Sequence, residues 1–499
     1  MGEGTLLIRA DASVAMGTGH VMRCLALAQA WQDSGGKSVF AMAGSTPAIE
    51  TRLKVEGIEI EQLTARAGTA EDAQETLHIA SKKNAKWIVL DGYQFGSVHQ
   101  SAIKTAGFKL LFIDDYVHAE TYSADLVLNQ NVQASPDLYS NRDSSTQLLL
   151  GPRYAMLRRE FRSWRNMRRE IPAAGRKVLI TMGGSDPDNL TAKAIEAIQK
   201  LSGLSLETMV LVGGSNPHLR SVEGLIQNES MRLITDSTCV SELMAWADVA
   251  VIGAGTTFWE TCFLGLPGIL LVVAENQRGV AAAAGKMGVA WSLGNGADVS
   301  ACALAEKLTQ LLNSGETRKS QSEKGRKLVD GRGANRVVTF LSDLQLRRTV
   351  ESDCEIFWEW ANDPEARAAS FNGKMISWED HAKWFRGKLG DPEAVFYTAA
   401  NKDGLPVGEI RYQIKGKRAV LSVSLGARFR GSGWGGKILA VGTERIFQDS
   451  EIDFIDAYVK PTNEVSLKLF ASAGFQRFPS EVVEGQDGIH FVLERAMFP

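Results

Sequence analysis

Three glycine-rich stretches and one histidine carry much of the chemistry that this 499-residue sequence offers. The first stretch is Gly17-Thr18-Gly19-His20, continued by Val21-Met22-Arg23-Cys24. Two glycines permit a tight turn and close backbone approach to a ligand. The helix starting there aims its unpaired N–H groups and positive dipole end at the same point, which favours an anion such as a diphosphate. His20 falls in the first helical turn facing that point, and histidine titrates in the range a general base needs. Without His20 the glycines read equally well as a plain strand-to-helix turn, because their spacing is not a full dinucleotide fingerprint. Thr181-Met182-Gly183-Gly184-Ser185-Asp186 and Gly253-Ala254-Gly255-Thr256-Thr257 are the other two stretches, and each follows an apolar run. Both can present amides to phosphates at helix starts. Glu260 lies about one turn into the last of these helices, where a carboxylate can accept both hydroxyls of a ribose. Taken alone, it reads better as an acid favoured by the helix dipole.

A fourth glycine cluster, Arg430-Gly431-Ser432-Gly433-Trp434-Gly435-Gly436-Lys437, follows the apolar run Val420 to Leu425. Gly431 to Lys437 nearly spells a P-loop, but Ile438 replaces the Ser or Thr that would hold magnesium, which excludes an NTPase. A loop of amides facing a pyrophosphate remains, and a side chain at Gly433 is expected to obstruct that approach. Asp114-Asp115 reads as a polar strand end rather than a metal-binding pair, and no metal site is expected.

These residues need elements to position them. Leu6–Ile8, Ser38–Ala41, Trp87–Leu90, Leu110–Ile113 and Asp125–Leu128 are short apolar runs that read as parallel strands covered on both faces. Helix-like segments separate them, such as Val21 to Ser34, which Gly35-Gly36 ends. A basic stretch, Met156 to Arg169, reads as helix, and Ile171 to Gly175 as a linker. The alternation then restarts with Lys177–Met182, Thr208–Val212, Met231–Ile234, Val249–Ile252, Ile269–Val273 and Val289–Ser292. Two α/β halves place a ligand cleft between them, at the carboxyl ends of the strands. After about residue 345 the texture changes, with Trp358, Trp360, Trp378 and Trp384 crowded ahead of a β-rich core at 395–425. The expected domains are 1–155, 156–344 with returning helices, and 345–499.

Composition narrows the partners. Lys+Arg 55 against Asp+Glu 58 leaves a net charge of −3, which disfavours nucleic acid. Five scattered cysteines show neither zinc spacing nor a disulfide framework, so a reducing cytoplasm is expected. The N-terminus lacks the pattern of a signal peptide, and Gly268 to Ala274, the most apolar run, is too short to span a bilayer. No membrane partner is expected, and oligomeric state leaves no mark in the sequence.

Gly17 to Cys24, Leu149 to Arg158, Met182 to Asp186 and Ala274-Glu275-Asn276-Gln277 together closely resemble the UDP-2,4-diacetamido-2,4,6-trideoxy-β-L-altropyranose hydrolases of pseudaminic acid biosynthesis. The resemblance covers roughly residues 5–340. It implies a GT-B-like pair of Rossmann-type lobes, shared with the lipid II-forming N-acetylglucosaminyltransferase. By the same resemblance His20 positions the hydrolytic water, Tyr93 and Asn276 are active-site residues, and Glu260 contacts the uridine ribose. Gly17, Thr18, Gly19, Gly183, Gly184, Ser185, Gly255, Thr256 and Thr257 complete the expected substrate site. The chemistry is consistent with this: UDP is a good leaving group, so the two carboxylates of ordinary glycosidases are not needed.

In the last domain Arg430-x-x-Gly433-x-Gly435 looks like the acetyl-CoA pyrophosphate loop of GNAT acetyltransferases. Asn463-x-x-Ser466-Leu467-x-Leu469-Phe470-x-x-x-Gly474-Phe475 resembles a later helix of that α+β fold. Trp360 to Pro364 and Ile376 to Phe385 look like the subgroup that acetylates amino sugars in the same pathway. Leu425, Arg430, Gly431, Gly433, Gly435, Gly436 and Asn463 are the acetyl-CoA-binding residues this implies. Phe470 departs from the family, which often has a tyrosine there to protonate the leaving thiolate. His381 and Glu409 are candidate bases for the substrate ammonium, neither of them assigned.

The resemblances imply a bifunctional cytoplasmic enzyme using acetyl-CoA and no metal. It would acetylate the 4-amino group of a UDP-linked 4-amino-4,6-dideoxy sugar and then hydrolyse the product, toward the pseudaminic acid that decorates flagellin. The alternative is a GT-B glycosyltransferase with an acetyl-CoA-binding regulatory module.

Overall fold

The computed structural model describes residues 4–13, 16–201, 203–226, 229–235, 237–342, 344–401, 404–431 and 433–495. The chain divides into two compact units, meeting at Val338 and Thr339.

The first unit holds two parallel sheets. One is built from β1 (Thr5–Ala10), β2 (Lys37–Met42), β3 (Glu59–Gln62), β4 (Ala85–Asp91), β5 (Lys109–Ile113), β6 (Leu126–Asn129) and β7 (Gln147–Leu150). The other contains β8 (Lys177–Thr181), β9 (Glu207–Val212), β10 (Met231–Thr235), β11 (Val249–Gly253), β12 (Gly268–Val272) and β13 (Trp291–Asn295). Their orders are 3-2-1-4-5-6-7 and 10-9-8-11-12-13, so both reverse direction beside their first strand. Crevices at such reversals, outside the carboxyl ends of the strands, are where open α/β sheets bind ligands. The loops after β1, β4, β8 and β11 lie at these points, and they carry Gly17–His20, Tyr93, Gly183–Ser185 and Gly255–Thr257. The strands form because their apolar residues are covered on both faces: Leu6, Leu7, Ile8, Ile88, Val89, Val178, Leu179 and Ile180 are all buried.

The α/β class agrees with the sequence, and the helix expected at Met156 to Arg169 does not form. Met156 to Arg169 is no α-helix; it contains a single 3₁₀ stretch, Arg159–Trp164. Its arginines are spent on other elements instead. Arg159 reaches the Gln29 carbonyl, Asp33 and Glu56, and Arg169 reaches the Met244, Ala247 and Leu264 carbonyls. The segment is thus a strap fastened to both lobes, and those tertiary partners override its helical propensity.

The second unit is one mixed sheet of β14 (Gln345–Arg348), β15 (Ala394–Ala400), β16 (Pro406–Lys415), β17 (Arg418–Leu425), β18 (Phe454–Val459), β19 (Gln476–Val483) and β20 (Gln486–Glu494). Its order is 14-15-16-17-18-20-19, antiparallel except between β17 and β18. That parallel pair is joined over Arg418–Val420 and Phe454–Asp456, after which Leu421–Leu425 continue beside β16. Ile410 and Tyr412 of the sheet and Ile438, Leu439 and Ile446 of the helix Trp434–Asp449 form its core.

Candidate active sites

A cavity of about 290 Å³ in the first unit gathers the residues singled out in its sequence. Gly17, Thr18, Gly19, His20, Tyr93, Gly183, Gly184, Ser185, Gly255, Thr256, Thr257 and Asn276 all line it. A neighbouring cavity of about 230 Å³ shares Thr18, Gly19, Gly183, Gly184, Thr256 and Thr257, and Glu260 lies on its wall. The loops from the two sheets come so close that a Cβ on Gly184 would sit 2.0 Å from Thr18 Oγ1. A side chain at 184 would therefore force the loops apart.

The helix Gly19–Asp33 puts His20 and Arg23 three residues apart, on the same side, where β4 ends. His20 Nδ1 lies 2.7 Å from Asp91 Oδ1. Arg23 Nη2 is also 3.2 Å from Nδ1, but a guanidinium only donates, so the Nδ1 proton belongs to the carboxylate bond. That fixes the tautomer and leaves the Nε2 lone pair free to accept. Arg23 clamps Asp91 through Nε (2.7 Å) and Nη2 (2.6 Å), and reaches Asp115 Oδ1 through Nη1 at 2.6 Å. Burial opposes ionisation of Asp91, yet Arg23 and His20 outweigh it and hold the carboxyl well below its ordinary range.

Tyr93 donates to Asp115 Oδ2 at 2.8 Å and accepts from Asn276 Nδ2, which joins residues of the two lobes. Burial, with Asp115 beside it, pushes the Tyr93 phenol far up, so it remains a donor. Its ring meets His20 edge-on at 4.7 Å. Arg23 and Asp91 are given no role by the sequence, and Asp115 only that of a polar strand end. Their signals were the i,i+3 spacing of His20 and Arg23 and the single aspartate ending the apolar strand Trp87–Leu90. The strand-end reading holds for Asp114, which accepts the amides of Asp115, Tyr116 and Val117. Asp115 departs from that reading, because it lines the cavity. Among the described residues, no group of three or more His, Cys, Asp or Glu is placed to hold a metal ion.

In the second unit the glycine cluster lies where the sequence puts it, between β17 and the 16-residue helix Trp434–Asp449. Gly433 precedes that helix with φ +85°, and Gly431 has φ +72°; Ser432 lies outside the described residues. Gly435 and Gly436 follow in the first turn, whose amides lack partners within the helix. Leu425 ends β17, and its carbonyl accepts from Arg430 Nη2 at 3.2 Å. The Arg430 guanidinium is paired with Asp363 (2.6 Å) and Glu365 (2.9 Å), so a phosphate there would compete with two carboxylates. Asn463 caps the helix Glu464–Ser472 by accepting from the Ser466 amide.

Phe470 is buried against Phe475 and Phe491 and offers no proton. Both candidate bases are interior. Burial pushes the Glu409 carboxyl up, with Arg411 at 3.6 Å opposing, and lowers the His381 imidazole. Among the described residues Glu409 Oε2 and His381 Nε2 have no hydrogen-bond partner.

The first unit thus pairs two parallel sheets whose glycine loops face one cleft, and the second is a mixed sheet with a glycine cluster at a helix start. Residues 178–333 match the family model of the glycosyltransferase family 28 C-terminal domain, and residues 343–476 that of the acetyltransferase (GNAT) domain. The UDP-2,4-diacetamido-2,4,6-trideoxy-beta-L-altropyranose hydrolase of Campylobacter jejuni is 25% identical over 288 residues, 57% of this chain and 97% of that one. The spore coat polysaccharide biosynthesis protein SpsG of Bacillus subtilis is 30% identical over 205 residues, 40% of this chain. That match spans 59% of the Bacillus protein. An uncharacterized protein of Methanocaldococcus jannaschii is 22% identical over 497 residues, 95% of this chain and 96% of that one. The chain is thus similar to a hydrolase–acetyltransferase fusion. Among the described residues no helix is long and apolar enough to cross a membrane.

Proposed function

We propose that the chain is a bifunctional enzyme performing two consecutive steps of pseudaminic acid biosynthesis. The second unit transfers acetyl from acetyl-CoA to the 4-amino group of UDP-4-amino-4,6-dideoxy-N-acetyl-β-L-altrosamine. The first hydrolyses UDP-2,4-diacetamido-2,4,6-trideoxy-β-L-altropyranose to UDP and the free sugar. The observation that carries this reading is the His20–Asp91 pair beside a cavity walled by glycine loops at helix starts.

In the hydrolytic step Asp91 holds the Nδ1 proton and His20 Nε2 orients a water toward the anomeric carbon. As the water oxygen bonds to that carbon, its proton passes to Nε2 and the C–O bond to UDP breaks. Amides of the loops at Gly17–Gly19, Gly183–Ser185 and Gly255–Thr257 stabilise the departing diphosphate, so no general acid is required. Tyr93 and Asn276 face the sugar, and Glu260 accepts from the ribose hydroxyls. In the acetyl transfer the neutral amine attacks the thioester carbonyl, the C–S bond breaks and CoA leaves as a thiolate, which is tolerable near neutral pH without a proton from position 470, while the proton lost from the attacking nitrogen passes to solvent. Leu425, Arg430, Gly431, Gly433, Gly435, Gly436 and Asn463 hold acetyl-CoA. Removal of divalent cations with EDTA is expected to leave hydrolysis unchanged; loss of activity restored by magnesium contradicts a metal-free step.

The glycosyltransferase match over 178–333 favours one rival, in which the acceptor is a sugar or lipid and the second unit only binds acetyl-CoA. Incubation with the UDP-4-amino sugar, with and without acetyl-CoA, followed by NMR of the products, separates the two. Acetylated free sugar and UDP without added acceptor support the proposal. No release of UDP until an acceptor is supplied supports the rival.

A further inference from the structure

The cavity beside the helix Thr257–Leu264 contains a chain of charges that nucleotide binding alone does not require. Glu260 is buried on its wall, and Arg158 Nη2 lies 3.0 Å from Glu260 Oε1. The same nitrogen is 3.1 Å from Glu160, which accepts from Arg52 of the helix Pro47–Val55 at 2.9 Å. Arg52 in turn pairs with Glu56 at 3.1 Å. Arg158, Glu160, Arg52 and Glu260 all line this cavity, so the series runs along its wall from one lobe to the other. Arg158 belongs to the strap fastened to both lobes, and its side chain is only 9% exposed.

We propose that Arg158 is a positioning residue for nucleotide recognition, keeping Glu260 an ionised, correctly turned acceptor for the ribose hydroxyls. This rests on the reading of the cleft as a UDP site. A protonated carboxyl gives up acceptor capacity, whereas a carboxylate can accept from two vicinal hydroxyls. Burial drives Glu260 toward the neutral form, Arg158 opposes this, and Glu160 reinforces it, leaving the carboxyl pushed up to about 7. Ribose recognition therefore strengthens as pH rises through neutrality. Removing the Arg158 cation raises the carboxyl further and moves that rise to more alkaline pH.

The test is isothermal titration of the full chain with UDP and with 2′-deoxy-UDP at several pH values between about 6 and 9, the span around an ordinary-to-raised carboxyl. The ratio of the two dissociation constants isolates the 2′-hydroxyl, because titration of the shared phosphate cancels. In the wild type at pH 8 the ratio is expected to be about tenfold, the scale of one hydrogen bond to a charged group. Arg158→Gln, close in length and still a donor, is expected to bring it to about threefold or less at pH 7, with recovery toward pH 9. Arg158→Lys keeps a cation there and should retain most of the discrimination, and in a Glu260→Gln background Arg158→Gln should change it no further. An unchanged ratio in Arg158→Gln, or one as low in Arg158→Lys, overturns the role of Arg158 while leaving the UDP site intact. Wild-type protein that binds neither nucleotide overturns the UDP reading itself.

Discussion

His20→Asn is expected to retain UDP binding and to lose hydrolysis by about two to four orders of magnitude, the usual scale of a general-base contribution. The structure sharpens the reason. Asp91 accepts the hydrogen bond from Nδ1–H and is itself fixed by two bonds from Arg23, so the ring has one tautomer and one orientation. Asparagine keeps a polar group near Asp91 but supplies no basic nitrogen where Nε2 was. The measurement is single-turnover release of UDP alongside calorimetric UDP affinity. Near-normal turnover in the variant would remove His20 from the mechanism, and loss of UDP affinity would make its contribution one of binding.

Gly433→Val is expected to weaken acetyl-CoA binding at least about tenfold, a change of about 1.4 kcal/mol, without affecting hydrolysis of pre-acetylated UDP-sugar. The sequence suggests that a side chain here obstructs the ligand. Among the described residues a Cβ at 433 meets no atom beyond its chain neighbours within 4 Å, and the backbone φ of +85° adds a second constraint. A non-glycine residue in left-handed geometry costs about 1–2 kcal/mol, and a β-branched one is a genuine outlier there. The loop relieves that strain by moving, which turns the helix-start amides away from the pyrophosphate. Gly433→Ala should give an intermediate effect. Unchanged acetyl-CoA affinity in Gly433→Val would sink the loop assignment, and a parallel loss of hydrolysis in folded protein would show that the two activities are linked.

Much of the fold was legible because buried parallel strands are apolar along their whole length, as Trp87–Leu90 and Ile269–Val273 show. β3 was missed for the opposite reason: Glu59-Ile60-Glu61-Gln62 is a polar, half-exposed strand at the sheet edge, which a search for apolar runs passes over. The strap at 156–169 was misread because its arginines suit a helix, and only the three-dimensional structure shows that carbonyls and carboxylates of other elements claim them. Within the candidate site, glycine loops and a histidine at a helix start are local signals. The pairing of Arg23 with Asp91 and Asp115 joins residues 68 and 92 positions apart, and no local pattern announces it. Glu260 with Arg158 is a similar case, a motif residue whose partner becomes visible only in the fold.

The contrast between the two kinds of sheet bears on how the chain reaches its native state. Among the described residues every ladder of the first unit is parallel and joins strands separated by a crossover, whereas β16 follows β15, β17 follows β16 and β20 follows β19 after only a few residues of sequence. The entropy of closing long loops must be met before a parallel pair gains any contact, so such sheets assemble slowly. The first unit, the larger of the two, therefore has the slower pairings to make. Until they pair, its apolar strands β1, β4, β8 and β11 are the segments most open to mispairing and to capture by chaperones, whereas the hairpins of the second unit zip up quickly.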